Sequence, residues 1–241
     1  VDVEYNPIAH VKGTTYKMLV TGKGTKEYRV RVVDVAGNVS AWVEGSIEIT
    51  APDIPPDMEA YIVDSQVRVS WGDPYAVSAD TSKLPIVTYQ LIRQWDKEIE
   101  PGLVETLEED YGTYDALDAY VAPLKYGNHT FMVRAIDSGG NIGGWASVDI
   151  SIRNPGKVTF YNCAAIDNNT MLYWTAPEPT SFPIAYYILY DVDEDGYESE
   201  RGRVDGLFSA QIEHTSGSYI YRVKAADVAD NIGEASDITI I

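Results

Sequence analysis

The sequence predicts an all-β chain of tandem β-sandwiches, and three observations carry that reading. One strand-and-turn pattern occurs three times, as YRVRVVDVAGNVSAW from Tyr28, FMVRAIDSGGNIGGW from Phe131 and YRVKAADVADNIGEA from Tyr221. The copies are spaced by 103 and then 90 residues, the length of a small sandwich and far longer than a solenoid or propeller repeat. The composition, with 18 Tyr and 5 Trp in 241 residues, suits strands better than helical bundles.

Each copy opens on a period-two strand. Tyr28, Val30 and Val32, then Phe131, Val133 and Ala135, then Tyr221, Val223 and Ala225 point one way, with Arg, Lys and other outward residues between them. An Asp closes each strand (Asp34, Asp137, Asp227), placed to accept hydrogen bonds from backbone N–H groups two or three residues on. Gly37-Asn38, Gly140-Asn141 and Asp230-Asn231 supply residues that tolerate positive φ, so a tight turn and a new strand follow.

The second repeat reads end to end. APDIPPD, Ala51 to Asp57, is a proline-bearing interdomain linker into an edge strand. QVRVSW places Val67, Val69 and Trp71 on one face as an inward strand that ends in a core tryptophan, and PIVTYQLIRQW, Pro85 to Trp95, is a third strand. The acidic stretch from Asp96 to Asp118 reads as a variable connecting region. In the third repeat RNPG, Arg153 to Gly156, is the linker, MLYW ends in Trp174, and PIAYYILYDV, Pro183 to Val192, matches the third strand. The first repeat aligns without gaps from Val11 with the third from Val204, but has no tryptophan strand or linker. The chain, which begins at Val1, is therefore expected to be a processed or recombinant piece that starts partway through a domain.

Tryptophan at the end of the second strand, Tyr89 and Tyr187 on the third, and Tyr-x-Val-x-Ala/Val followed by Asp, Gly and Asn resemble the fibronectin type III fold, a seven-strand sandwich without disulfides. The resemblance implies three units: residues 1–50 as the C-terminal half of one domain, 51–152 as a complete domain and 153–241 as another. The wording VRAIDSGGNIGGW and VRVVDVAGNVSAW is similar to the tandem modules of phage tail-tip proteins of the host specificity protein J family. Similar wording occurs in modules attached to secreted bacterial glycoside hydrolases. The first resemblance implies a non-catalytic structural and adhesive spacer in a virion, positioning the part that contacts the bacterial receptor. Its partners would be other tail-tip proteins or copies of itself in a homotrimer. The second implies a spacer or carbohydrate-binding accessory segment outside a bacterial cell. Trp71, Trp174, Tyr89 and Tyr187 carry over as core residues.

The net charge of −19 is uneven: residues 1–50 balance six basic against six acidic groups, whereas 51–152 stand at −11 and 153–241 at −8. Such a surface repels nucleic acid, which needs a basic patch to displace counterions. It suits solubility and repulsion between neighbours, with divalent cations or a basic partner as the other candidates. No apolar run is long enough to cross a membrane.

Chemistry-bearing clusters are few. Asp191, Asp193, Asp195 and Gly196 reproduce the start of a calcium-binding EF-hand loop, but Gly202 stands where a bidentate Glu is required and a strand precedes the loop. An acidic hairpin turn is the first expectation there, and an irregular calcium site the second. Asp96, Glu98, Glu100, Glu105, Glu108, Glu109 and Asp110 hold enough carboxylates for acid-base chemistry, yet lack an associated aromatic platform and read as a solvated face. His10, His129 and His214 are spread as unrelated surface positions would be, with no nucleophile or zinc arrangement, so no catalytic residue and no bound cofactor is expected. The single cysteine, Cys163, is expected to be a buried, inert thiol. Ala235 stands where the other repeats have Trp42 and Trp145, rings expected to cover the mouth of a sandwich or pack on the next domain.

Overall fold

Apolar–polar alternation is realised as antiparallel strand pairing in every repeat. A computed structural model of the chain describes residues 8–76, 82–166, 169–178, 180–205, 209–213 and 217–240, and these form strands and no helix. The chain is all-β, built of antiparallel sheets.

The first repeat contributes β1 (Gly24–Val30) and β2 (Val43–Ile49), a two-stranded sheet. The second contributes β3 (Glu59–Val63), β4 (Gln66–Ser70), β5 (Ile86–Glu100), β6 (Leu103–Tyr114), β7 (Asp118–Val121), β8 (Gly127–Asp137) and β9 (Ala146–Ile152). They form a sheet of order β3-β4-β7 and another of order β6-β5-β8-β9. The third contributes β10 (Thr159–Ile166), β11 (Asn169–Thr175), β12 (Ile184–Val192), β13 (Glu198–Asp205), β14 (Ser209–Glu213), β15 (Tyr219–Asp227) and β16 (Ser236–Ile240). The sheet orders, β10-β11-β14 and β13-β12-β15-β16, repeat those of the second.

Each complete pair of sheets shares one core. Val67, Val69 and Trp71 of the three-stranded sheet and its edge meet Tyr89, Leu91, Phe131 and Val133 of the four-stranded sheet. The Trp71 and Tyr89 rings sit 5.7 Å apart. In the third repeat Leu172 and Trp174 meet Tyr187, Leu189, Tyr221 and Val223, with Trp174 edge-on to Tyr187 at 5.4 Å. Tilted and edge-on contacts suit the ring quadrupoles, so the aromatics add orientation as well as buried area. The four residues carried over as core, Trp71, Tyr89, Trp174 and Tyr187, are all buried.

Several expectations are corrected. The acidic stretch is a regular hairpin rather than a variable connection, because β5 runs on to Glu100 and pairs with β6 across Pro101 and Gly102. Cys163 is exposed. Its strand β10 lies at a sheet edge and shifts register between Phe160 and Asn162; Phe160 packs on the core, but Tyr161, Asn162 and Cys163 are exposed. The proline-bearing linkers, for their part, are packed against the repeats. Pro52, Pro55 and Pro155 are buried, and Glu234 N–H donates to the Pro155 carbonyl at 3.4 Å. Gly233 is required there, since a Cβ would stand 2.5 Å from the same oxygen.

Candidate functional sites at the turns and repeat junctions

The three signature turns share one hydrogen-bonded frame. In the first, Asp34 Oδ1 accepts from the N–H of Ala36 at 2.9 Å and of Asn38 at 2.8 Å, while Oδ2 accepts from Asn38 Nδ2 at 2.8 Å. Asp137 makes the same three bonds with Gly139 and Asn141, and Asp227 with Ala229 and Asn231. The carboxylate therefore reaches residues two and four on, not two and three as expected. Positive φ falls only on Gly37, Gly140 and Asp230, at 88°, 76° and 56°, and not on the asparagines, whose side chains instead close the turn. Bonding to Asn38 holds the Asp34 carboxyl below its ordinary range.

Two of these turns receive the preceding repeat. At the second junction Asn231 Nδ2 donates to the Leu124 carbonyl at 3.0 Å and its Oδ1 accepts from Tyr126 N–H at 2.8 Å. Lys125 Nζ donates to the carbonyls of Ala229 at 2.6 Å and Asp230 at 3.2 Å. Phe182, 1% exposed, belongs to the apolar cluster of the second repeat although it lies in the third. At the first junction Gly22 N–H donates to the Gly139 carbonyl at 3.2 Å. Gly22 lies 103 residues before Lys125 and Gly139 lies 90 before Ala229, so the same pair of repeat positions makes both ties. Thr50 N–H to Ser82 carbonyl and Lys83 Nζ to Asp53 at 2.6 Å reinforce the first junction.

Trp42 and Trp145 stack on arginines of their own repeats. They lie on the outer face of their sheets, beneath the guanidinium groups of Arg31 and Arg134 at 4.5 and 4.3 Å from the ring centroids. In the third repeat the Arg is Lys224, whose ammonium pairs with Glu198 at 2.7 Å, and the Trp is Ala235. The tryptophan stack is absent there, and the Lys224 ammonium lies instead over the Tyr190 ring at 4.9 Å from its centroid.

The acidic hairpin has an aromatic platform that its sequence hid. Arg93 lies over Trp95 at 4.1 Å and pairs with Glu109 at 2.8 Å, and Tyr111 Oη donates to Glu109 at 2.8 Å. Burial and that carboxylate push the Tyr111 phenol up. Glu108 accepts from Gln94, Asp110 from Gln90 and Asp96 from Thr106, so the carboxylates form cross-strand pairs along the hairpin. Arg93, Trp95, Glu109, Tyr111 and His129 line a cavity of about 310 Å³. His129 is 3% exposed rather than on the surface as expected. Its Nε2 faces the Lys125 carbonyl at 2.8 Å, and burial lowers its pKa. His10 is exposed, and His214 lies outside the described residues.

The calcium candidates are separated by role. Asp193 Oδ1 accepts from the N–H of Asp195 at 3.1 Å and Tyr197 at 2.8 Å, with Gly196 at φ 88°, which is the bonding pattern of the signature turns. Asp191 pairs with Arg201 at 3.4 Å. Among the described residues no group of three or more His, Cys, Asp or Glu is placed to hold a metal, so Asp191, Asp193 and Asp195 are not brought together. No helix of the described residues is long and apolar enough to cross a membrane.

Compared with known proteins, the chain matches no protein-family model and no curated protein sequence.

Proposed function

We propose that the chain is a tandem fibronectin type III segment acting as a non-catalytic spacer in the tail tip of a phage or prophage, where it positions the part that meets the host receptor. The carrying observation is the repeated tie between the loop before one signature strand and the turn of the next repeat, Gly22 to Gly139 and Lys125 to Ala229. Insertion of Phe182 into the neighbouring core adds a hydrophobic pin to the second tie. Junctions fixed by hydrogen bonds, with a shared apolar residue at the second, resist bending, and a spacer transmits position only if its junctions do so. Neighbours in the virion would be other tail-tip proteins or two further copies of the chain.

A second reading, an accessory segment of a secreted bacterial enzyme or surface protein, is favoured by the cavity beside Trp95 and Tyr111, where an aromatic face and paired polar groups suit a sugar. Small-angle scattering with a glycan-binding screen separates the two. A rigid, extended particle that binds no polysaccharide supports the spacer. Binding lost in Trp95→Ala supports the accessory module, and turnover of a glycan overturns both.

A further inference from the structure

Two residues in the wall of the cavity of about 310 Å³ beside the acidic hairpin carry polar atoms with nothing to bond. His129, 3% exposed, gives Nε2 to the Lys125 carbonyl at 2.8 Å, and its Nδ1 is buried without a partner among the described residues. Arg93 gives Nη2 to Glu109 at 2.8 Å, and its Nε is buried in the same condition. The Lys125 carbonyl only accepts, so Nε2 carries the proton; burial keeps the ring neutral, and Nδ1 is an acceptor. Arg93 Nε is always a donor. A buried donor and a buried acceptor left without partners are costly, so a cavity walled by both calls for a group that satisfies both.

Charge in the cavity is already balanced. Glu109 accepts from Arg93 and from the Tyr111 hydroxyl, both at 2.8 Å, while Lys125 Nζ is taken up by the Ala229 and Asp230 carbonyls. Neither an anion nor a cation is called for. A neutral hydroxyl is, because a single oxygen donates to Nδ1 and accepts from Nε, where an amide would need two atoms. At roughly 30 Å³ per water the cavity has room for on the order of ten waters, so it admits a whole ring. Trp95, Tyr111 and the apolar run from Val121 to Leu124 line the rest of it and suit the C–H surface of such a ring. The fold itself does not demand these groups. At the positions of Arg93, Glu109 and His129 the third repeat has Asp191, Ser199 and Tyr219, with Asp191 paired to Arg201 and Tyr219 stacked on Tyr221.

We propose that this cavity binds one neutral pyranose unit of a glycan, with a ring hydroxyl donating to His129 Nδ1 and accepting from Arg93 Nε. The proposal rests on the accessory-module reading above and adds to it the charge of the ligand and the residues that read it. The Arg93–Glu109 pair holds the guanidinium in place, and Trp95 beneath it at 4.1 Å fixes its plane.

The test uses the whole chain at neutral pH and the methyl glycosides of glucose, galactose, mannose, N-acetylglucosamine and glucuronic acid at millimolar concentration, read by nitrogen-15 NMR of the imidazoles. At least one neutral glycoside should move the Nδ1 resonance of His129, identified by its absence in His129→Gln, and the glucuronide should bind no more tightly than the glucoside. His129→Gln, whose amide still donates to the Lys125 carbonyl but offers nothing at Nδ1, should weaken binding by about tenfold. Displacement of the bound glycoside by bacterial lipopolysaccharide places its source on a cell surface, and displacement by a soluble β-glucan places it in an enzyme's substrate; either supports the proposal. Binding that is lost in Trp95→Ala but unchanged in His129→Gln, or tighter binding of the glucuronide, overturns the proposal and leaves the module reading standing. No shift of Nδ1 with any glycoside also overturns it, and the module reading then stands or falls on the polysaccharide screen alone.

Discussion

Tyr126 N–H donates to Asn231 Oδ1 at 2.8 Å, which ties the loop ahead of one signature strand to the turn of the next repeat. The same asparagine gives its Nδ2 hydrogens to the Leu124 carbonyl and to Asp227, so one buried amide closes its own turn and clamps its neighbour. Asn231→Ala strands the Tyr126 N–H and the Leu124 carbonyl, an expected cost of about 1–3 kcal/mol. Asn38→Ala removes the equivalent internal bonds from an exposed turn that, among the described residues, makes no bond to another repeat, and should cost less. Urea denaturation of both variants checks this. Only Asn231→Ala should also separate the unfolding of the second and third repeats.

The tryptophans should sort by environment. Trp71 is buried against Tyr89 and Tyr114, so Trp71→Ala should cost about 3–5 kcal/mol and unfold or severely weaken the second repeat. Trp42 is 42% exposed and held mainly by stacked guanidinium groups, so Trp42→Ala should cost about 0.5–1 kcal/mol. Near-ultraviolet circular dichroism through a melt separates the two, and equal losses would contradict the assignment of core and outer face.

What the sequence made legible follows periodicity. Val67, Val69 and Trp71 alternate with polar residues, so their inward face and the core it builds could be read from spacing alone. Asp230 at φ 56° also confirms that Asp can stand for Gly in the third turn. The junctions had no such signal: Lys125 meets Ala229 across 104 positions, and nothing local marks Phe182 as belonging to the previous core. His129 was misread because its neighbours Asn128 and Thr130 are polar, although it occupies an inward position of β8. Cys163 was misread because a lone thiol is usually buried, whereas its strand lies at a sheet edge beyond a bulge.

The first repeat should be the first to be cut. Its apolar side chains are exposed and its sheet has two strands, while isolated hairpins are at best marginally stable in water. Limited trypsin digestion followed by mass spectrometry should show cleavage at Lys26, Arg29 or Arg31 before any site in residues 58–152 or 157–240. Equal resistance in a demonstrated monomer would contradict an open first sheet.

Acid should weaken the second and third repeats in different windows. In the second, His129 is buried with its pKa lowered from 6.5, chiefly by desolvation and in lesser part by Arg93, against the opposing hydrogen bond to the Lys125 carbonyl. Below about pH 6.5 the unfolded chain takes the proton and the folded one does not, so stability is full above that pH and is lost as pH falls toward the lower folded value. In the third, Lys224 and Arg222 hold Glu198 below 4.5, and Arg222 holds Asp237 below 3.8, so that contribution is full above those values and disappears at lower pH. Calorimetry from pH 8 to pH 5 should therefore lower the melting temperature of the second repeat before that of the third. His129→Gln, whose amide can still donate to the Lys125 carbonyl, should flatten the slope without touching the lower window. An unchanged slope in that variant would show that His129 is not the titrating group, whereas loss of the acid limb below pH 4.5 in Glu198→Gln would locate the second step at the Arg222–Lys224 cluster.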